Sequence, residues 1–508
     1  MMDRSKSHVQ HRNDYHVRVK NFGPIAEGSI DIRPLTVFVG PSNTGKSYLA
    51  TLIYALHRCF AADLDETPYS YAWRIRSSGL TDEIISDPDI KEYLDAWISS
   101  VKKQDDMPSF PGPVEDVIRS MVEETGDMEM YIERELYRCF GLEAIRELIR
   151  RPRAQSAEVI IDLHRREERC NMQYRLGIRR NEFNVTGKVI GSKLPSPDLR
   201  RSREGIVLRR RMYSVRRSSK RDVFDSRPLL MLAVMTRNAL TSLLRRRAYY
   251  LPADRTGVMH SHQVVVSTLI QNATKAGLRP AVNVPTLSGV LADFLNQLIQ
   301  MASGHGSKGH ENGDLLASRV EETVLRGGVN IDASEANYPH FFYKPEGWKA
   351  KLPLMRSSSM VSDLAPMILY LRHVVRPGDV IIIEEPESHL HPAMQIEVIR
   401  RLAEIVRSGI QVIVTTHSEW VLDELANMVL SFRKGESEQA FVNKATDSLN
   451  PREVGVWSFG HQETSEGVVI KELELDKSGS YPSGFDRVAV DQHNRWVEAV
   501  GGIEFMDE

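Results

Sequence analysis

The chain has 508 residues, 41% of them hydrophobic, and a formal net charge of −2. That length holds two or three domains with a sizeable core, and the balanced charge excludes a nucleic-acid or membrane partner argued from overall charge alone. Cys59, Cys139 and Cys170 are scattered without metal-ligand spacing, which excludes a disulfide framework and fits a reducing, cytoplasmic compartment.

Residues 1–13 read as a polar, disordered lead without the apolar core of a signal peptide. No apolar run approaches the roughly 18 residues of a membrane span, so no membrane partner is expected. His16 to Lys20 alternates as a strand, Asn21 to Ile25 forms a turn, and Ala26 to Ile32 alternates again. Leu35 to Val39 is a short apolar run rich in strand formers, and Tyr48 to Leu56 has the pattern of a helix. Between them stands Gly40-Pro41-Ser42-Asn43-Thr44-Gly45-Lys46-Ser47, which fits Gly-x-x-x-x-Gly-Lys-Ser. Strand, glycine-rich turn and helix N-terminus together aim backbone N–H groups at phosphate oxygens. Lys46 is expected to reach the β- and γ-phosphates of ATP, and the Ser47 hydroxyl to ligate Mg²⁺.

Residues 60–150 change to helical periodicity. One apolar set comprises Ile84, Ile85, Ile90, Tyr93, Leu94, Trp97 and Ile98. A second comprises Val114, Val117, Ile118, Met121 and Val122, and a third runs from Leu136 to Leu148. Residues 155–195 alternate as a meander of strands. A basic stretch follows, with Arg200, Arg201, Arg203, Arg209, Arg210, Arg211, Arg216, Arg217, Lys220 and Arg221, and Arg245 to Arg247 shortly after. Its chemistry fits phosphate-backbone contact with duplex DNA, an acidic protein mimic of DNA, or a solvated face. Leu229 to Leu244 reads as a helix. Ala248 to Gly257 reads as a strand and then a charged loop, where α/β folds place site residues. Residues 286–326 read as helix interrupted by a flexible loop at 304–310, with short strands expected at Gly328 to Ile331 and Phe341 to Lys344.

Val380 to Ile383 is a continuous β-branched run, the pattern of a strand buried on both faces. It ends in Glu384-Glu385-Pro386-Glu387-Ser388-His389-Leu390-His391-Pro392. Two acids at such a strand end are costly without a cation. Glu384 is expected to hold Mg²⁺ and Glu385 to take the proton of an attacking water. Gln411 to Thr416 is a second buried run, ending in His417, which is expected to contact the γ-phosphate. Ser357, Ser358 and Ser359 precede an apolar helix, Leu364 to Val375, as a second anion site at a helix N-terminus. One nucleotide has one γ-phosphate, so this loop is expected to serve the nucleotide of a partner subunit.

These motifs, in this order, resemble an ABC-type ATPase head of the RecF/SMC/OLD group. More narrowly, Ile383 to Pro392 and Thr415 to Ser418 resemble the OLD-like "AAA family" ATPases of bacterial defence islands, of which the Septu and PARIS ATPases are examples. The resemblance covers roughly residues 15–60 and 350–430. Two departures stand out: Glu384 occupies a position that is Asp in many ABC heads, and Ser357-Ser358-Ser359 replaces Ser-Gly-Gly. OLD nucleases also carry a C-terminal Toprim domain. Fewer than a hundred residues follow His417, with no strand-borne Asp-x-Asp, so no nuclease domain is expected in this chain.

The expected fold is α/β: an ABC-type P-loop ATPase head built from both chain ends, with a mainly helical, partly β insertion. The expected division is a lead over 1–13, head over 14–60, insertion over 61–245, head over 246–435 and a C-terminal extension over 436–508. Three functions fit. The first is an ATP-hydrolysing regulatory or sensor subunit of an anti-phage system, oligomeric through composite ATP sites and paired with a separately encoded effector nuclease. The second is a RecF-like DNA repair or maintenance ATPase. The third is a nucleotide-bound scaffold with little turnover.

Overall fold

The computed structural model describes residues 15–61, 88–101, 109–150, 154–164, 170–180, 182–195, 227–261, 287–302, 311–332, 340–437, 448–461, 467–482 and 484–500. Through Ala61 the elements are β1 (Tyr15–Phe22), β2 (Ile25–Asp31), β3 (Leu35–Val39) and α1 (Lys46–Ala61). Helices α2 (Pro88–Val101), α3 (Gly112–Glu123) and α4 (Gly126–Phe140) follow, then β4 (Ser156–His164), β5 (Cys170–Arg179) and β6 (Glu182–Gly191). Next come α5 (Arg227–Leu240), β7 (Ala248–Leu251), α6 (Gly289–Ala302), α7 (Glu311–Val320), β8 (Gly327–Asp332), β9 (His340–Pro345) and β10 (Leu352–Pro353). The last are α8 (Ser359–His373), β11 (Val380–Glu384), α9 (Pro392–Arg407), β12 (Gln411–Thr416), α10 (Glu419–Ser437), β13 (Val454–His461), β14 (Val468–Glu472) and α11 (Phe485–Val500).

The chain divides into two compact units. The first takes Met1–Ile32, Thr51–Ala248 and Leu287–Val290, and the second takes Arg33–Ala50, Tyr249–Thr286 and Leu291–Glu508.

In the first unit the strands run β6-β5-β4-β1-β2, each antiparallel to its neighbour. Alternation becomes one-sided burial. In β5, Cys170, Met172, Tyr174, Leu176 and Ile178 are buried, while the residues between them are not. The second apolar set forms the buried stripe of α3, as its spacing predicts. Acidic side chains of the helices satisfy edge-strand amides. Glu123 accepts from the Val189 N–H at 2.8 Å, and Glu129 from the Val185 N–H at 2.9 Å. The third set, Leu136 to Leu148, splits between two elements. Gly141 takes a left-handed φ of 64° that stops α4, and Ile145–Leu148 is a single 3-10 turn. Ile84, Ile85, the stretch 200–221 and the loop at 304–310 lie outside the described residues.

In the second unit the sheet runs β14-β13-β3-β12-β11-β7. β3 lies parallel between β12 and β13, and β11 lies parallel to β12. The sheet is therefore assembled from both ends of the chain, a mixed α/β fold whose core strands β3, β11 and β12 are buried at every position. The segment set apart as a C-terminal extension contributes β13, which pairs with β3, and β14 beside it. α8 is buried from Val361 through Leu371, with Pro366 inside it. A smaller antiparallel sheet, β10-β9-β8, completes the unit. The loop expected after β7 is instead helical from Arg255 to 261.

Candidate nucleotide site

The chain leaves β3 through three left-handed positions: Gly40 (φ 143°), Asn43 (φ 62°) and Gly45 (φ 95°). A Cβ at Gly40 would stand 2.3 Å from the Phe459 carbonyl oxygen, so only glycine passes the neighbouring strand there. The Thr44 hydroxyl donates to the Pro41 carbonyl at 2.8 Å and closes the turn. Lys46, the first residue of α1, folds back and donates to the carbonyls of Gly40 at 2.9 Å and Pro41 at 2.7 Å. It is buried, whereas Pro41, Ser42, Asn43 and Ser47 are exposed. Burial lowers the Lys46 pKa to about 8, against the opposing pull of the Glu385, Glu387 and Glu384 charges.

Strand register brings the second half of the site to the same edge. Glu384 pairs with Thr415, and Thr416 pairs with Val39, so the tips of β11, β12 and β3 end together. Glu384 Oε2 accepts from the Ala253 N–H at 3.0 Å, while Oε1 is buried with no partner among the described residues. Glu385 takes a left-handed φ of 44°. Its N–H donates to the Thr415 carbonyl at 2.9 Å, its Oε2 accepts from the Ser388 hydroxyl at 3.2 Å, and its Oε1 lies 3.6 Å from His417 Nε2. His417 is held below the usual imidazole pKa by burial first and then by the Lys46 charge, with Glu385 and a hydrogen bond to Gly40 opposing. Downstream, His391 caps α9, accepting from the Ala393 N–H at 3.3 Å ahead of Pro392 in the first turn.

Two further residues at this edge, Glu387 and Arg255, carry no role in the sequence motifs. Glu387 Oε1 accepts from the Thr416 hydroxyl at 2.6 Å and the His417 N–H at 2.9 Å, and Oε2 is buried with no partner among the described residues. Burial pushes the Glu387 carboxyl up, partly offset by those two hydrogen bonds. Arg255, in the segment after β7, is buried against the backbone of Glu384 and Glu385. The only sequence signal for it was its place just past a buried strand.

Ser357 follows the 3-10 turn Leu354–Arg356, and Ser358 caps α8, its hydroxyl accepting from the Val361 N–H at 3.4 Å. Ser358 and Ser359 are exposed. Arg209, Arg210 and Arg211 lie outside the described residues.

Among the described residues no three His, Cys, Asp or Glu side chains gather as a metal cage. A phosphate-bound Mg²⁺ needs less than that: one hydroxyl and one carboxylate, with phosphate oxygens and water supplying the rest. The unpartnered buried oxygen of Glu384 and the exposed hydroxyl of Ser47 fit such an ion. Among the described residues no helix is long and apolar enough to cross a membrane.

Residues 288–422 match the family model described as an AAA ATPase domain, a stretch that contains Glu384, Glu385, His417 and the serine loop but not the P-loop. No curated protein sequence matches. Three solved structures are similar over most of their length. An SMC head bound to the C-winged helix domain of ScpA has 11% identity over 91% of this chain and 98% of its own, with a TM-score of 0.39. The SMC head domain from Thermotoga maritima has 12% identity over 91% and 98%, with a TM-score of 0.34. A Smc head with an extended coiled coil, bound to the C-terminal domain of ScpA and derived from Pyrococcus furiosus, has 10% identity over 94% and 98%, with a TM-score of 0.36. At these scores the likeness carries no argument about function.

Proposed function

We propose that this chain is an ABC-type ATPase that binds ATP with Mg²⁺ at its P-loop and hydrolyses it to ADP and phosphate. One observation carries the reading: the P-loop lysine and two buried carboxylates, Glu384 and Glu387, each with an oxygen unpartnered among the described residues, share one sheet edge. In this reading the turn from Gly40 to Ser47 binds the phosphates through its N–H groups, and Lys46 exchanges its two carbonyl contacts for β- and γ-phosphate oxygens. Ser47 and Glu384 would hold Mg²⁺, which supplies charge neutralisation at the phosphates when bound. Glu385 accepts the proton of the attacking water, and His417, 3.6 Å from it, binds the γ-phosphate.

Ser357, Ser358 and Ser359 act in trans. Their hydrogen bonds stay within residues 353–362, and the Ser358 and Ser359 side chains are exposed at a helix N-terminus, where they can cap the nucleotide of a second copy. The active species is then at least a symmetric dimer with two composite sites. The wider role is regulatory: a sensor subunit of a bacterial anti-phage system that acts with a separately encoded nuclease. That part rests on the resemblance of Ile383 to Pro392 to the ATPases of such systems. The basic stretch around Arg209 to Arg211 binds duplex DNA or an acidic mimic of it through its charge.

The test is turnover in mixed subunits. Lys46→Ala alone loses ATP binding, measured with a fluorescent ATP analogue, and so loses turnover. Replacing Ser357–Ser359 by alanine abolishes turnover and leaves ATP binding in place. Mixed dimers of the two recover one working site each. Undiminished turnover in Lys46→Ala ends the P-loop assignment, and full activity of the serine variant alone ends the composite site.

A further inference from the structure

Arg255 lies in the first turn of the short helix after β7 and is 1% exposed. A buried guanidinium is costly unless its five N–H groups all find acceptors. Here they do. Nε donates to the Asp363 carbonyl at 3.0 Å, and Nη1 donates to the Pro252 carbonyl at 3.1 Å and to the Glu384 carbonyl. Nη2 donates to Asp363 Oδ2 at 2.5 Å and to the Glu385 carbonyl at 2.9 Å. Asp363 is buried equally, and its Oδ1 accepts from the Thr256 hydroxyl at 3.0 Å.

The ends of this network lie at two parts of the site. Glu385 is a non-glycine residue at a φ of 44°, a conformation that persists only when its surroundings over-determine it. Its amide is fixed by the Thr415 carbonyl and its own carbonyl by Arg255. At the other end, Asp363 sits near the start of α8, the helix capped by Ser358 and begun by Ser359. A single side chain thus joins the helix of the serine loop to the peptide that carries the general base.

We propose that Arg255 is a positioning residue for hydrolysis. It holds Glu385 in its left-handed conformation and, through Asp363, transmits engagement of the Ser357–Ser359 loop to the Glu385 carboxylate. The inference rests on reading Glu385 as the base and the serine loop as a partner's cap. A buried ion pair that only stabilises the fold would raise the cost of unfolding without touching the chemical step.

The experiment uses the full chain with Arg255→Lys, which keeps the charge and cannot span five acceptors. The expected result is ATP-analogue affinity within about twofold of the parent and kcat lower by about 10- to 100-fold. Ser359→Ala slows the parent but has no further effect in the Lys background, because the link it acts through is already cut. Wild-type kcat, or a serine effect that multiplies undiminished, overturns the proposal. Amide hydrogen exchange at 384–387 reads the same backbone without turnover. It speeds up by about tenfold or more in Arg255→Lys, and unchanged exchange overturns the proposal even if the parent proves not to hydrolyse ATP. If Arg255→Lys fails to fold, Thr256→Val removes only the bond to Asp363 Oδ1. The same pattern at severalfold size supports the link, and full activity with an intact serine effect overturns it.

Discussion

A buried carboxylate of the first unit and two at the nucleotide edge of the second are held in opposite ways. In the first, Asp162 on β4 is closed: Oδ2 accepts from Arg18 at 2.7 Å and Oδ1 from Gln173 at 2.6 Å. In the second, Glu384 and Glu387 are open, each with one oxygen hydrogen-bonded and the other buried without a partner among the described residues. An unpartnered oxygen is not sufficient by itself to mark a site. Glu404 on α9 also has one, but Arg401 and Arg319 neutralise its other oxygen. No such arginine pairs with Glu384 or Glu387 among the described residues, and the charge near them is Lys46, a group that ATP would itself recruit. A carboxylate paired by its own fold, as Asp162 is, needs no ligand to satisfy it. One left open beside a phosphate-binding turn is positioned for a ligand that brings its own cation.

The largest effect that could break this contrast is at Glu385. Glu385→Gln is expected to bind ATP, lower turnover by about 10²–10⁴-fold, and leave the melting temperature unchanged, with the ATP-loaded oligomer accumulating. Size-exclusion chromatography and a phosphate-release assay read both properties. If Glu384→Gln gives the trapped state while Glu385→Gln stays active, the roles of the two acids are reversed.

The pH dependence of stability sharpens the contrast. In the first unit His57 is fully buried, its Nδ1 on the Leu244 carbonyl at 3.1 Å, and burial lowers its pKa from 6.5 to about 4. The unfolded chain therefore binds more protons between those values. Stability is lost as pH falls from 6.5 towards 4, by of order 3 kcal/mol from this group. Glu387 has the opposite sign. Its folded pKa is raised, so the folded state binds more protons just above the ordinary carboxylate value, and its contribution falls as pH rises through that window. Denaturant titrations across pH 4–7 of the parent, His57→Phe and Glu387→Gln separate the two. A slope unchanged in His57→Phe would contradict the assignment.

The smallest expected effects are the direct stability changes at neutral pH. Asp162→Asn should cost no more than about 1 kcal/mol, because Arg18 is half exposed and its pair is screened. Glu387→Gln should be neutral or stabilising by about 1 kcal/mol, since it removes an unpaired buried charge, while turnover falls. Urea midpoints for both variants check this. Strong destabilisation by Glu387→Gln would make that carboxylate a structural group like Asp162.

The sequence by itself determined what depends on near neighbours along the chain. Glycines at left-handed positions marked the turn from Gly40 to Ser47, continuous β-branched runs marked β11 and β12, and helical spacing marked the buried stripe of α3. Tertiary structure alone decided that β13 would lie against β3. It also decided that Glu387 would turn inward onto Thr416 and His417. Arg255 is the clearest case, because its segment reads locally as a charged loop. Its burial is tolerable only because acceptors from Asp363, Glu384 and Glu385, more than a hundred residues away, converge on four of its five donors, with the nearby Pro252 carbonyl taking the fifth. Periodicity and turn chemistry are written residue by residue, whereas the cost of burying a charge is set by the partners that the fold brings to it.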